Sequence, residues 1–210
     1  MKLAVSGQTG RIGRHVVEQA LSAGHEVVVL VPDPARLGPQ HGRLRVVVGD
    51  ARDFDRVLET VRDADAVICA LGPRRNTPED EEAHVAAVRN ILEAMNQLGI
   101  RRLVTVPGAA VDLTGDRKGV PDKVAGWVVR RFARQVYRAK VRELELLQTY
   151  PELQWSAVRP PVVVPGPATG RYKVRLDRPP GRRVTAGDVA HFMLKELESG
   201  EFIKKAPFIG

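Results

Sequence analysis

Cysteine is almost absent. The single thiol, Cys69, can form no internal disulfide and excludes a cysteine-rich metal site. Long apolar runs are missing too. The longest, such as Val27 to Val31, fall far short of the ~18 residues a membrane helix needs, so no membrane partner is expected. The opening Met1-Lys2-Leu3-Ala4-Val5 meets glycine and polar residues soon after and lacks a secretory signal pattern. No internal repeat and no low-complexity tract occurs. These absences lead to the expectation of a reduced, cytoplasmic, soluble protein.

What is present is ordinary in amount but skewed in sign. Hydrophobic residues make up 43% and charged residues 28%, a globular composition that argues against disorder. A chain of 210 residues suits one large domain, expected to span 1–210, that buries roughly 70% of its extended surface. Basic residues number 33 against 25 acidic, a net charge of +8. Such an excess attracts anions: nucleic acid, a phosphorylated cofactor or an acidic substrate. Composition alone does not choose among them.

Apolar runs alternate with amphipathic stretches, the pattern of βαβ units and a parallel sheet. Strands are expected at Leu3–Val5, Val27–Val31, Arg45–Val48, Ala66–Leu71, Leu103–Val106 and Trp155–Val158. Helical spacing marks 12–21, 54–61, 88–98, a long region over 121–148, and 188–197. The expected architecture is a doubly wound α/β sheet of strand order 3-2-1-4-5-6. Prolines and glycines crowd 160–185, which reads as an irregular hairpin region over the crevice, and a terminal strand is expected near 202–209.

The most informative motif is Gly7-Gln8-Thr9-Gly10-Arg11-Ile12-Gly13, a GxxGxxG loop between the first strand and the first helix. Glycines there allow a tight turn, a close backbone approach to a pyrophosphate, and close helix–strand packing. The helix N-terminus then presents free N–H groups to the phosphates. No Gly-Lys-Ser/Thr follows, so this is not the phosphate loop of ATPases. Gly7, Thr9, Gly10, Arg11, Ile12 and Gly13 are the expected pyrophosphate contacts. Asp33, about twenty residues beyond, suits the ribose hydroxyls of NAD, or else caps the turn after Pro34. Arg36 suits the 2′-phosphate of NADP, and the reading favours NADP with NAD still open. Asp50 is expected beside the adenine, and Leu71, Gly72 and Pro73 beside the ribose.

Together these residues resemble the atypical short-chain dehydrogenase/reductase family, and within it the biliverdin-IXβ and flavin reductase branch. The resemblance is carried by the glycine loop, Val46-Val47-Val48-Gly49-Asp50, Asp65-Ala66-Val67-Ile68, Arg89 to Met95, Pro160-Pro161, Thr169-Gly170-Arg171-Tyr172 and Asp188 to Leu194. It implies a six- or seven-stranded parallel sheet, NADP in the crevice, and hydride transfer to flavins or similar flat acceptors. FMN or FAD would be substrate rather than prosthetic group, and members are often monomers, so a monomer or small homo-oligomer is expected. Three departures stand out. Pro32 replaces the branch's arginine after the second strand. Gly108 stands where the branch has a serine at the end of the fifth strand. The wider family's Tyr-x-x-x-Lys pair is missing, Tyr137-Arg138-Ala139-Lys140 being one residue short.

Without that hydroxyl, carbonyl reduction loses the general acid, worth about 100- to 10,000-fold. A conjugated acceptor needs it less, because positioning supplies most of the effect. The substrate-side candidates are Gly108, Ala109 and Arg159. A nucleotide-sensing protein without turnover, similar to NmrA-like regulators, is the alternative. Arg130, Arg134, Arg138 and Arg142 form a slanted basic stripe on the long helical region. No aromatic platform interleaves with it, so it reads as an ion-paired face rather than a nucleic-acid site. His191, Trp127, Trp155 and Cys69 read as packing residues.

Overall fold

The computed structural model describes residues 1–36 and 41–210. Six strands form one parallel sheet: β1 (Lys2–Ser6), β2 (Glu26–Val31), β3 (Leu44–Val48), β4 (Ala66–Cys69), β5 (Arg102–Thr105) and β6 (Gln154–Ala157). They lie in the order β3-β2-β1-β4-β5-β6, the expected doubly wound arrangement. Every neighbouring pair is parallel, with Ala4 beside Val28 on one side and Val67 on the other. β2 reads Glu-Val-Val-Val-Leu-Val and is buried from its second residue onward. Such a continuous apolar run is what a strand covered on both faces requires.

The strand period of two divides the core. Leu3, Val5, Val27, Val29 and Ile68 face α1 (Gly13–Ser22) and α6 (Ala186–Ser199). Ala4, Val28, Val67 and Leu103 face the other layer, built from α2 (Phe54–Val61), α3 (Pro78–Gln97) and α5 (Arg134–Gln148). Helix starts follow local chemistry. The Asp53 side chain accepts from the amides of Asp55 and Arg56, Thr77 caps α3 with Pro78 in its first turn, and Thr185 accepts from the amide of Asp188. α6 ends at Gly200 with φ +63, a left-handed stop that favours glycine.

Four expectations change. The long helical region is two helices, α4 (Val120–Phe132) and α5, broken at Ala133 (φ −125, ψ 47). Neither glycine nor proline causes the break. Asn76, from the loop before α3, donates to the Phe132 carbonyl and accepts from the Gln135 amide. The expected hairpin over 160–185 is not one. β7 (Val162–Val164) pairs in parallel with β9 (Arg183–Thr185), and β8 (Val174–Arg175) pairs antiparallel with the terminal β10 (Phe208–Ile209). Trp127 is exposed rather than packed, and Trp155 is half-buried against the core. His191 is exposed and hydrogen-bonds the Tyr172 hydroxyl at 2.7 Å. Cys69 is buried as expected, and burial pushes its thiol up to about 11, with the Glu143 carboxylate adding to the shift.

Candidate functional site

The chain runs outward from β1 to β3 on one side and restarts with β4 on the other. A crevice therefore opens at the carboxyl ends of β1 and β4, where doubly wound folds bind ligands. The glycine loop fills the β1 side of it. Gly7 has φ +89, and a methyl there would sit 2.5 Å from the Ala70 carbonyl carbon after β4. A methyl on Gly13 would overlap the Gly7 carbonyl. Both positions need glycine for space, and the first needs it for its backbone conformation.

α1 then begins unusually bare. Ile12 provides no side-chain cap, and the first turn holds no acidic residue. Among the described residues the amides of Arg11, Ile12 and Gly13 have no backbone acceptor, whereas Gly10 and Arg14 do. Free donors at the positive end of a helix dipole suit a phosphate. Gln8 is buried and donates to the Leu30 carbonyl at 2.8 Å, but its Oε1 has no partner. A buried unpaired acceptor beside the loop is a second feature that a bound ligand would satisfy. Thr9 and Gly10 are exposed at the tip. Arg11 is also exposed, but its guanidinium donates to the Val163 carbonyl of β7 at 2.7 Å, which ties it away from the loop.

Beside the loop lies a cleft of about 370 Å³. Its walls include Leu30, Pro32, Gly49, Asp50, Leu71, Gly72, Pro73, Arg74 and His84. The structure thus gathers Asp50 and Leu71–Pro73 around one cavity at the ends of β3 and β4. Asp50 holds Arg52 with two hydrogen bonds of 2.9 and 2.8 Å, and the hydrogen bond from Arg52 holds its carboxyl below the usual range despite partial burial. Asp33 accepts from the Ala35 amide at 3.0 Å and so caps the turn Pro34–Arg36, the structural alternative foreseen for it. The side chain of Arg36 lies outside the described residues.

The substrate-side candidates divide. Gly108 and Ala109 stand just past the end of β5, half-buried. Gly108 has φ +93, a backbone conformation that disfavours any side chain at this turn. The Ala109 amide donates to the Pro160 carbonyl, which fixes the turn against β6. Arg159 is a correction. It does not face the crevice but is 2% exposed and internally satisfied. Its guanidinium takes Asp116 with bonds of 2.7 and 2.9 Å, donates to the Val111 and Ala206 carbonyls, and lies 3.7 Å over the Phe208 ring. Four of its five N–H groups are taken by these partners, so the guanidinium serves the fold and not the crevice.

The sequence reading passed over a buried cluster behind the cleft wall. Lys140 Nζ donates to the Leu71 carbonyl at 2.6 Å and to Glu143 Oε2 at 2.8 Å. His84 Nε2 meets the same carboxylate oxygen at 2.8 Å, and the Thr105 hydroxyl donates to Oε1. Burial alone would raise the Glu143 carboxyl, but the Lys140 ammonium and the His84 hydrogen bond outweigh it and hold it well below the usual range. Desolvation, then the nearby ammonium, lowers His84, so its ring is neutral at pH 7 and donates through Nε2. A legible signal existed: Lys140, Glu143, Leu144 and Leu147 follow helical core spacing, so two charges occupy apolar positions. Lys140 therefore braces the cleft wall through the Leu71 carbonyl.

Three of the four arginines of the basic stripe are ion-paired as expected, and Arg134 forms no ion pair among the described residues. Arg142 bonds Glu81 and Glu82, Arg138 approaches Glu81 at 3.3 Å, and Arg130 bonds Asp112. Among the described residues no cluster of ligands could hold a metal, and no helix is long and apolar enough to cross a membrane.

A family model described as NAD(P)H-binding matches residues 7–200, and the chain belongs to that family. Its parallel sheet of order 3-2-1-4-5-6 flanked by helices is a Rossmann-like α/β fold. Its relatives sharpen the likeness. The chain is 36% identical over 114 residues to a 3-diazoavenalumate denitrifying reductase of a Streptomyces species, covering 50% of this chain and 36% of that protein. It spans about half or less of the length of the curated relatives it matches. Among solved structures, the anaerobilin reductase ChuY of Escherichia coli O157:H7 superposes with a TM-score of 0.81 at 19% identity, over 100% of this chain and 96% of that one. A short-chain dehydrogenase/reductase of Veillonella parvula in complex with NADP gives 0.80 at 16% identity, over 100% and 94%. At these identities both structures speak to the fold.

Proposed function

We propose that this protein is an NADPH-dependent reductase that passes hydride to a flavin, a quinone or a similar conjugated acceptor. The observation that carries the reading is the bare α1 start: free amides in a loop whose Gly7 and Gly13 leave no room for a side chain, beside a cleft of about 370 Å³. Gly7, Thr9, Gly10, Ile12 and Gly13 would take the pyrophosphate. Asp50 would sit by the adenine, and Leu71, Gly72 and Pro73 by the ribose. Arg36 would read a 2′-phosphate, and Asp33 is less suited to a ribose because its carboxylate serves its own turn. When bound, the nicotinamide supplies the hydride. The chain's own task is to hold the acceptor beside it near Gly108 and Ala109. No tyrosine or serine hydroxyl stands at the Gly108 turn, which favours an acceptor that takes its proton from water.

The same missing hydroxyl supports a second reading, an NADP sensor that binds without turnover. Following NADPH oxidation at 340 nm with FMN and with quinones separates the two. Oxidation that saturates with acceptor is expected. Tight NADPH binding with no oxidation across flavins and quinones would establish the sensor. Comparing NADH with NADPH in wild type and Arg36→Ala tests the cofactor assignment, with a selective loss of NADPH affinity expected.

A further inference from the structure

α4 is amphipathic in the wrong sense for a helix of a water-facing surface. Only Gly126 is buried, while Val120 (74% exposed), Val124 (55%), Trp127 (57%) and Phe132 (68%) stand outward with Val128. At about 100° per residue these side chains share one arc of about 160°, with Ala125 and Pro121 inside it. The one acidic residue of α4, Asp122, lies half-buried on the opposite side. The charged residues on and nearest the arc are basic: Arg131 on it, Lys123 just beyond its edge and, at the start of α5, Arg134, while Arg130 lies as far off the arc as Asp122. Among the described residues Lys123, Arg131 and Arg134 form no ion pair, unlike the remaining arginines of the neighbouring stripe. Arg131 instead lies 5.4 Å from the Phe132 ring centroid.

We propose that α4 is an interfacial helix that docks the protein on an anionic lipid bilayer. An exposed tryptophan and phenylalanine among valines, flanked by lysine and arginine, is the composition that lies in a headgroup region. Each unpaired cation near an anionic surface contributes roughly fivefold to binding. A second copy of the chain fits this face poorly. A two-fold interface places the same patch on both partners, so the three unpaired cations of one would meet those of the other. The site is also placed to matter. Asn76 bonds both sides of the α4–α5 break, and Arg74 and Arg75 of the same loop line the cleft, so docking α4 sets the cleft mouth near the bilayer. This departs from the expectation of no membrane partner, which rested on the lack of a spanning segment. The inference stands on the α4 surface and not on the chemistry of the cleft.

Co-sedimentation with vesicles of phosphatidylcholine, with and without phosphatidylglycerol, tests it. Binding to the phosphatidylglycerol vesicles is expected to exceed that to phosphatidylcholine alone by more than ~10-fold, with a blue shift of tryptophan emission. Trp127→Glu with Phe132→Glu should cut that binding by more than ~10-fold while NADPH affinity and thermal midpoint stay unchanged. Lys123→Glu with Arg131→Glu and Arg134→Glu should abolish the preference for anionic lipid. No binding at low salt, or binding unchanged in both variants, would overturn the proposal. So would a dimer that the Trp127/Phe132 variant splits and that binds no vesicles.

Discussion

The two sides of the sheet are built by different means. On the β1–β3 side, ligand features come from backbone: glycines, bare amides and a cleft whose charged groups pair at the surface, as Asp50 does with Arg52. On the β5–β6 side, position is set by buried charge. Lys140, Glu143 and His84 brace the cleft wall. Arg159 and Asp116 pin the loop after β5. Arg102 and Glu196, joined at 3.0 Å with Ser156 bonding the same carboxylate, hold α6 to the sheet edge. A backbone site tolerates change in the side chains around it. A buried ionic site does not, because losing one partner strands the other in a medium of low dielectric.

The largest expected effect therefore lies on the β5–β6 side. Glu143→Ala leaves the Lys140 ammonium without its counter-ion, and should cost ~3–5 kcal/mol by denaturant unfolding. If the loss is under ~1 kcal/mol, the cluster does not brace the wall. Gly13→Ala tests the backbone side. It forces a methyl against the Gly7 carbonyl and should cost ~1–3 kcal/mol, with NADPH affinity falling further than stability does. Equal NADPH affinity in this variant would break the assignment of the loop.

Acid sharpens the comparison. His84 is held below the usual imidazole value of 6.5 and Glu143 below the usual carboxyl value of 4.5. Both depressed values favour the deprotonated form in the folded chain. Their stabilisation is complete above the unfolded values and is lost as pH falls through the folded ones. The thermal midpoint should decline in two stages, the first beginning below pH 6.5 and the second below 4.5. His84→Gln should remove the upper stage and leave the lower one. The smallest effect belongs to a surface cap: Asp53→Ala, at the start of α2, should cost ~1 kcal/mol and leave NADPH binding unaltered.

The strand order and the glycine loop were legible because each rests on local pattern: β-branched runs such as Val27 to Val31, and a loop in strand–turn–helix context. The features that were missed depend on residues distant in sequence. The α4–α5 break is set by Asn76, more than fifty residues before it. Arg159 ends a strand on the side where ligands bind, and nothing nearby in sequence reveals that Asp116 and Phe208 enclose it. Lys140 and Glu143 were within reach, since charged residues at apolar positions of a helix must find each other or a ligand. The outward face of α4 carried the same signal with opposite sign: Val120, Val124, Trp127 and Val128 have core spacing, and no element of the described chain covers them.

The most direct test is hydrogen exchange with and without NADPH. Bound cofactor is expected to slow exchange at the amides of residues 8–14, with weaker protection at 71–74, and to leave the β5–β6 loops unchanged until an acceptor is added. Saturating NADPH that leaves the amides of Arg11, Ile12 and Gly13 exchanging at their free rate would contradict the account.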